Sequence, residues 1–317
     1  MTTLRRTRTL AAGLAAVTLF AFTSCADDDL KGDDKKDDSP AADQGPISIS
    51  GQDFPEAALV AAMYEQLLTD AGYEPEVELV SARDGYMPTF PDTIDVVPEY
   101  VGGIVNFLNA RENGDTAQPF EAGDGAQLAA DGADLLDGAG ITLLDVSEAT
   151  DTNAFFVTQE FSDDNGVTKL SDLTGQSVTL AAAEDCEGRL DCEGGLSDQY
   201  GIDITEILPL GYASDATYQA VLDGEAQLGE TSTTDGSLES RGLVVLDDDL
   251  QIQPAQNLVP AVSGEFLTEH PDVAEVLNAL MAALTTEKLT ELNGKVAVDR
   301  ADPEDVAEDF LTEAGLL

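Results

Sequence analysis

The stretch TIDVVPEYVGG, residues 93–103, joins a short apolar run to a Pro-Glu-Tyr step and two glycines. Val96 and Val97 are typical of a buried strand, and the glycines open a segment that is typical of a helix. Tyr100 therefore stands near the carboxyl end of a strand, which is where open α/β sheets bind their ligands.

The segments around this stretch alternate between strand and helix. The strand ISIS (47–50) precedes an amphipathic helix that has Pro55 near its start and Gly72 near its end. A helical segment at 124–140 leads into the strand ITLLDV (141–146). This β-α-β repetition predicts a mostly parallel sheet with helices on both faces.

A second β-α-β series follows the apolar strand in TNAFFVTQEF, residues 152–161. It runs through SVTLAAA and AQLGET and closes with GLVVLDD at 242–248, after which helical patterns dominate from Glu265 onward. The sequence therefore predicts an α/β fold with two lobes, each a mostly parallel sheet flanked by helices.

The first 24 residues have the features of a secretory signal: arginines, a short apolar run and small residues before Cys25. The Thr-Ser-Cys ending is similar to a lipobox, so we expect a lipid on Cys25 that anchors the chain outside the cell membrane. An ordinary cleaved signal with an incidental cysteine is the alternative. Residues 25–46 are polar and acidic and are predicted to form a disordered tether.

The chain is strongly acidic, with 63 Asp and Glu against 14 Lys and Arg and a formal charge of −49. Such a field repels nucleic acid and anionic lipid, so we expect neither as a partner. A solvated acidic surface suited to saline surroundings is the simplest interpretation.

We expect the melting temperature of the mature chain to rise with salt. Self-repulsion of the acidic surface is screened as the Debye length falls from about 30 Å at 0.01 M salt to about 3 Å at 1 M. Differential scanning fluorimetry at these two concentrations measures the effect. A flat or falling curve would show that local ion pairs already compensate the charge.

No catalytic motif is present, since nucleophile elbows, zinc-binding helices and phosphate-binding loops are all missing from the sequence. We therefore expect neither an enzyme nor a cofactor. Cys186 and Cys192 lie close together in an exported chain, which predicts a disulfide. A metal site is the weaker alternative because the only histidine, His270, is distant and is predicted to be structural.

The order of segments from Ile47 to Leu317 resembles the substrate-binding proteins of osmoprotectant ABC importers. The motifs that carry this likeness are ISISGQDFPEAAL, TIDVVPEYVGG, ASDATYQAVLDGEAQL, TSTTDG and the tail from residue 284. The resemblance implies a two-lobed, type II periplasmic-binding fold with residues 47–149 and 256–317 in one lobe and 150–255 in the other. It also implies two partners, a small solute and an ABC permease.

Members of this family commonly hold a trimethylammonium group in a cage of tyrosines. Tyr100 matches one cage position, whereas polar residues match the others: Asn153, with Asp151 two places earlier, Ser232, Gln256 and Asn257. Other aromatic residues, such as Phe155 or Tyr86, are an alternative source of cage walls.

The same resemblance places Arg189 at a position that binds a ligand carboxylate, and Gln52 and Gly103 where the family has lysine and threonine. The predicted ligand-binding residues are therefore Tyr100, Arg189, Asn153, Asp151, Ser232 and Gln52. Arg83 is a further candidate for the cleft. The implied function is delivery of a glycine betaine or choline type solute to an importer. A polar non-quaternary solute and a non-transport sensing lipoprotein are the alternatives.

Overall fold

The computed structural model describes residues 43–114, 120 and 124–317. The predicted signal peptide, the lipidation site Cys25 and nearly all of the predicted tether therefore lie outside the described residues. Within the described ranges, no helix is both long enough and apolar enough to cross a membrane.

The described ranges contain ten strands that form two separate five-stranded sheets. The strands are β1 (Gly45–Gln52), β2 (Tyr73–Val80), β3 (Val96–Tyr100), β4 (Ile141–Leu143), β5 (Asn153–Thr158), β6 (Ser177–Ala182), β7 (Asp203–Pro209), β8 (Leu228–Ser232), β9 (Leu243–Leu246) and β10 (Leu258–Ser263).

Helices connect most of these strands, and a short 3₁₀ helix spans Leu170–Leu173. The α-helices of the described residues are α1 (Pro55–Asp70), α2 (Arg83–Tyr86), α3 (Val101–Asn113), α4 (Gly125–Asp131), α5 (Ala133–Ala139), α6 (Gln159–Asn165), α7 (Glu193–Asp198), α8 (Asp215–Leu222), α9 (Leu238–Arg241), α10 (Gly264–Glu269), α11 (Asp272–Ala283), α12 (Thr286–Ala297) and α13 (Pro303–Ala314).

The two sheets have the same topology. Their strand orders are β2-β1-β3-β10-β4 and β7-β6-β8-β5-β9, and in each sheet only the fourth strand runs antiparallel to the others. That antiparallel strand is the one that the chain enters after it crosses from the other sheet. The predicted pair of mostly parallel α/β sheets is therefore confirmed, and we call each sheet with its helices a lobe.

The central strands of each sheet are buried on both faces, as strands of parallel sheets generally are. In β3, Val96 packs in the core formed with α1 and α11–α13, and Val97 packs in the core formed with α3–α5. In β5, Phe155 and Phe156 divide in the same way between two further cores. The alternation of neighbouring side chains explains why apolar residues follow one another directly at these positions.

Helix α1 positions the first candidate residues. Pro55 stands in its first turn, where the missing N–H of proline is harmless and its fixed φ favours the helix. Leu59, Met63 and Leu67 recur every fourth residue, are buried, and pack in the core under the first sheet. The start of α1, with Glu56, consequently lies directly beyond the carboxyl end of β1.

Strand β3 extends further than its sequence suggests. Residues after Val97 continue the strand through Pro98 to Tyr100, directly beside β10. Pro98 lies opposite Pro260, whose carbonyl accepts a hydrogen bond from the Leu144 N–H at 3.0 Å. Within a strand, the N–H and C=O groups of one residue point toward the same neighbouring strand. The missing N–H groups of these two prolines would therefore face away from each other, so the hydrogen bonds between β3 and β10 stay intact.

Candidate functional site

Tyr100 ends β3 and precedes the first turn of α3. Its hydroxyl donates a hydrogen bond to Oε1 of Glu56 at 2.5 Å, and its ring lies nearly parallel to that of Phe54, with centroids 6.3 Å apart. Tyr100 is 7% exposed and packs against the apolar core, and burial followed by the charge of Glu56 raises its pKa. The ring of Tyr100 is thus held in place, and its hydroxyl is already hydrogen-bonded.

Glu56 is a buried carboxylate in the first turn of α1, where the helix dipole favours negative charge. Its second oxygen accepts a hydrogen bond from Nδ2 of Asn293, on α12, at 2.6 Å. Asn293 also donates to the backbone carbonyl of Thr234, in the second lobe, at 3.1 Å. One amide therefore connects a first-lobe carboxylate to the loop after β8.

Asp151 lies in the first crossover between the lobes. Its Oδ1 atom is buried and has no hydrogen-bond partner among the described residues. Burial, and then the charge of Glu56, raises the pKa of Asp151 to about 7, although the hydroxyls of Thr234 and Ser232 act to lower it. The site consequently contains two neighbouring carboxylates whose negative charges oppose each other.

Tyr212 lies in the loop before α8 and was not among the residues chosen from the sequence. Burial raises the pKa of its phenol, as do the charges of Asp151 and Glu230, whereas Ser232 acts to lower it. Tyr212 is 43% exposed overall, and its hydroxyl end lies near enough to Asp151 and Glu230 to be affected by their charges. The ASDATYQAVL motif begins directly after this tyrosine, which is the signal that could have found it.

The remaining second-lobe residues form a polar group at one edge of the sheet. Asn153, which begins β5, lies directly opposite Ser232, which ends β8. The Nδ2 atom of Asn153 donates a hydrogen bond to Oδ2 of Asp191 at 3.1 Å, and the same carboxylate forms an ion pair with Arg189 at 2.8 Å. Arg189 also pairs with Asp185 at 3.2 Å. Asp191 thereby joins two of the predicted residues.

The predicted disulfide is confirmed: the sulfurs of Cys186 and Cys192 are 1.99 Å apart. The bond closes the loop that carries Arg189, and both cysteines are fully buried. Within the described ranges, Cys186, Cys192 and Glu230 form the one acidic or sulfur group compact enough for a metal ion. Because the two sulfurs are bonded to each other, they cannot act as thiolate ligands there.

Removal of this disulfide is expected to lower the free energy of unfolding by about 2 kcal/mol, since the reduced chain regains the entropy of a short loop. The change is Cys186→Ala with Cys192→Ala, and urea denaturation measures the difference. Reductant should destabilise the natural chain to the same extent and leave the double variant unaffected. Equal stability of both proteins without reductant would contradict this expectation.

The two glycines after Tyr100 have neighbours other than a ligand. A Cβ on Gly102 would lie 2.4 Å from the carbonyl oxygen of Ala255, and one on Gly103 would lie 2.3 Å from a guanidinium nitrogen of Arg83. Gly103 also donates its N–H to Oε1 of Gln256 at 2.9 Å. The glycines therefore leave room for the backbone of the return crossover and for the guanidinium group of Arg83.

The other candidate side chains lie apart from this cleft or are engaged elsewhere. Tyr86 and Phe155 are buried in the apolar cores, and Tyr86 donates a hydrogen bond to Glu99. Arg83 forms a two-point ion pair with Glu99, at 2.7 and 2.9 Å, instead of reaching the cleft as an unpaired charge. Gln52 ends β1, and its side chain makes no hydrogen bond to any described residue.

Asn257 in the return crossover and His270 at the end of α10 both have structural partners. Asn257, which the resemblance matches to a cage position, donates from Nδ2 to the carbonyl of Ser147 at 2.9 Å and so secures the crossover. His270 stacks on Phe266, with centroids 4.5 Å apart, and lies 3.3 Å from the hydroxyl of Tyr73. Its environment is that of a packing residue.

Comparison with known proteins identifies relatives along most of the chain. Residues 45–313 match the family described as the substrate-binding domain of ABC-type glycine betaine transport systems. A glycine-betaine-binding protein of Pseudomonas aeruginosa is 27% identical over 290 residues, which cover 86% of this chain and 88% of that protein. The glycine betaine-binding protein YehZ of Escherichia coli K12 is 26% identical over 293 residues, which cover 87% and 93%.

Solved structures match the fold. A crystal structure described as a glycine betaine/carnitine/choline ABC transporter gives a TM-score of 0.75 at 20% identity and covers 85% of this chain and 99% of that one. Apo YehZ from Escherichia coli gives 0.71 at 24% identity and covers 86% and 99%. These matches confirm the predicted two-lobed, type II periplasmic-binding fold.

Proposed function

This chain belongs to the family of substrate-binding domains of ABC-type glycine betaine transport systems, and from that premise we propose that it captures a quaternary ammonium solute between its lobes. The solute is of the glycine betaine or choline type, and an ABC permease receives it. We propose Tyr100, Phe54, Glu56, Asp151, Ser232 and Tyr212 as the residues around the solute. Asn153 and Arg189 support the second-lobe side of the site through Asp191.

The observation that carries the proposal is the meeting of aromatic faces with two carboxylates, of which Glu56 is buried and Asp151 half-buried. Tyr100 and Phe54 offer π faces from the first lobe, and Asp151 lies near enough to Tyr100 to raise its pKa. A methylated ammonium group is attracted to the faces of aromatic rings, and the attraction increases where water is excluded. Nearby negative charge adds to that attraction.

Closure of the lobes completes the proposed cycle. The hydrogen bonds of Asn293 to Glu56 and to the carbonyl of Thr234 connect the lobes at the carboxylate that also bonds Tyr100. A solute that stabilises the position of Glu56 also favours this connection. Lobe closure around a ligand is a common switching movement, and it gives a permease a surface that distinguishes loaded from empty receptor.

We also propose that a lipid on Cys25 anchors the receptor at the outer side of the cell membrane. The basic and apolar start of the chain and the Thr-Ser-Cys ending support this placement. The acidic segment that follows lies between the proposed anchor and the lobes along the chain.

A thermal-shift screen of quaternary amines, amino acids and polyols tests the proposed solute class, with titration calorimetry on each solute that raises the melting temperature. Quaternary amines should stabilise the mature protein because ligands that bind the folded state raise its stability. Stabilisation by a polar, non-quaternary solute alone would support the alternative receptor role. If no solute in any class stabilised the protein, the receptor proposal would fail.

A further inference from the structure

We propose that the site selects its solute by net charge and takes a small organic cation without a carboxylate group in preference to a zwitterion. This inference rests on the proposed function, because it assumes that the cleft around Tyr100 and Asp151 is the binding site. It follows from how the charged groups of the cleft are paired.

Glu56 has only neutral partners. Its two oxygens accept hydrogen bonds from the hydroxyl of Tyr100 and from the amide of Asn293, and neither donor carries a charge. Glu56 is 4% exposed, so water gives it little compensation. A buried carboxylate without a cation is costly, and a positively charged ligand would supply the missing charge.

Asp151 is the less satisfied of the two carboxylates. Its buried Oδ1 has no hydrogen-bond partner among the described residues, and the charge of Glu56 acts against its own. An ammonium group near both would relieve this repulsion and interact with the partnerless oxygen. The carboxylate of a zwitterion would instead add a third negative charge to the same cleft.

The arginines predicted or considered for a ligand carboxylate are already paired. Arg189 contacts Asp191 and Asp185, and Arg83 contacts the fully buried Glu99 through two nitrogens. To bind a ligand carboxylate, either arginine would have to give up one of these ion pairs. The site therefore offers surplus negative charge and no unpaired guanidinium at these positions.

Cation binding should also be linked to pH. The ionisable groups that act on Asp151 or are acted on by it are Glu56 from α1, Tyr100 from β3, Tyr212 from the loop before α8 and Asp235 after β8. All of them are acids. In the free protein, the stability linked to Asp151 is present below about pH 4 and is lost as the pH rises through about 7, because folding raises its pKa. A cation stabilises the ionised form, so affinity should increase as the pH rises from 5.5 to 8.

The experiment compares three molecules of similar shape by titration calorimetry on the full mature protein: choline, glycine betaine and the neutral carbon analogue 3,3-dimethylbutan-1-ol. Choline should bind at least tenfold more tightly than either of the others. Below pH 7, titrations in two buffers of different ionisation enthalpy should show that choline binding releases protons.

Asp151→Asn separates charge from shape, because the amide has nearly the same size. This variant should lose at least tenfold in choline affinity and most of the proton release, while its affinity for glycine betaine should not fall. Asp70→Asn is the matched control. It removes one charge from the exposed far end of α1, about 21 Å from Glu56 by the helical rise, and should bind as the natural protein does.

Tighter binding of glycine betaine than of choline would overturn the charge inference and leave the proposed receptor function intact. An Asp151→Asn variant with unchanged choline affinity would also overturn it. If none of the charged solutes bound, and the wider screen gave no ligand, the proposed function itself would fail.

Discussion

Replacing Gly236 with alanine is expected to weaken solute binding about 100-fold while both lobes stay folded. A Cβ on Gly236 would lie 2.3 Å from the backbone nitrogen of Gly294 and 2.4 Å from the carbonyl of Thr290, which belong to α12 of the first lobe. The loop after β8 then cannot approach α12, and the bridge from Asn293 to Thr234 is lost. Because binding requires the closed state, raising the free energy of that state by about 2.7 kcal/mol lowers the affinity for the solute about 100-fold.

Gly138→Ala is the matched control for this change. Gly138 lies in α5, and a Cβ there would have nothing within 4 Å. Titration calorimetry measures affinity in both variants, and small-angle scattering measures whether the solute still reduces the radius of gyration. Normal affinity in Gly236→Ala would show that this contact is not required for binding. Loss of the circular dichroism signal of the folded protein would show that the chain needs this contact in order to fold.

The order of strands and helices could be predicted because its signals are local. Apolar runs such as 154–157 and the amphipathic pattern of α1 depend on neighbouring residues, which the sequence displays directly. The continuation of β3 through Pro98 could not be predicted in this way. A proline normally argues against a central strand, and only its position opposite Pro260, far along the chain, makes it acceptable.

Residues of the candidate site could be predicted where a sequence motif marks them. They could not be predicted where only the packing of helices brings them together. Tyr100 stands in a motif at a strand end, and Asp151 stands in a crossover that the family resemblance places. Glu56 carries no such signal, because one glutamate among 63 acidic residues is distinguished only by its burial. Its position in the first turn of α1, shortly after β1 and at the same sheet edge as Tyr100, is the clue that could have identified it. Asn293 depends wholly on how α12 packs.

Tyr100→Leu should reduce affinity for a quaternary ammonium solute about 30-fold, whereas Tyr100→Phe should change it by no more than about threefold. Leucine keeps much of the apolar volume of the wall and removes its π face, which contributes about 2 kcal/mol to a desolvated cation. Phenylalanine keeps the face and removes only the hydroxyl, which already bonds to Glu56 at 2.5 Å and is not free to hold a solute. Titration calorimetry measures both affinities.

The comparison between the two variants decides the role of this tyrosine. Both replace a residue that is 7% exposed and packed against the core, so both lower stability, and thermal melts report that effect separately. If Tyr100 is only a packing residue, Tyr100→Leu and Tyr100→Phe should bind equally well whatever their melting temperatures. If its ring is the wall against which the cation lies, affinity depends on whether the variant keeps the aromatic ring and not on the stability of the variant. Equal binding by the two folded variants would therefore contradict the aromatic wall at the end of β3.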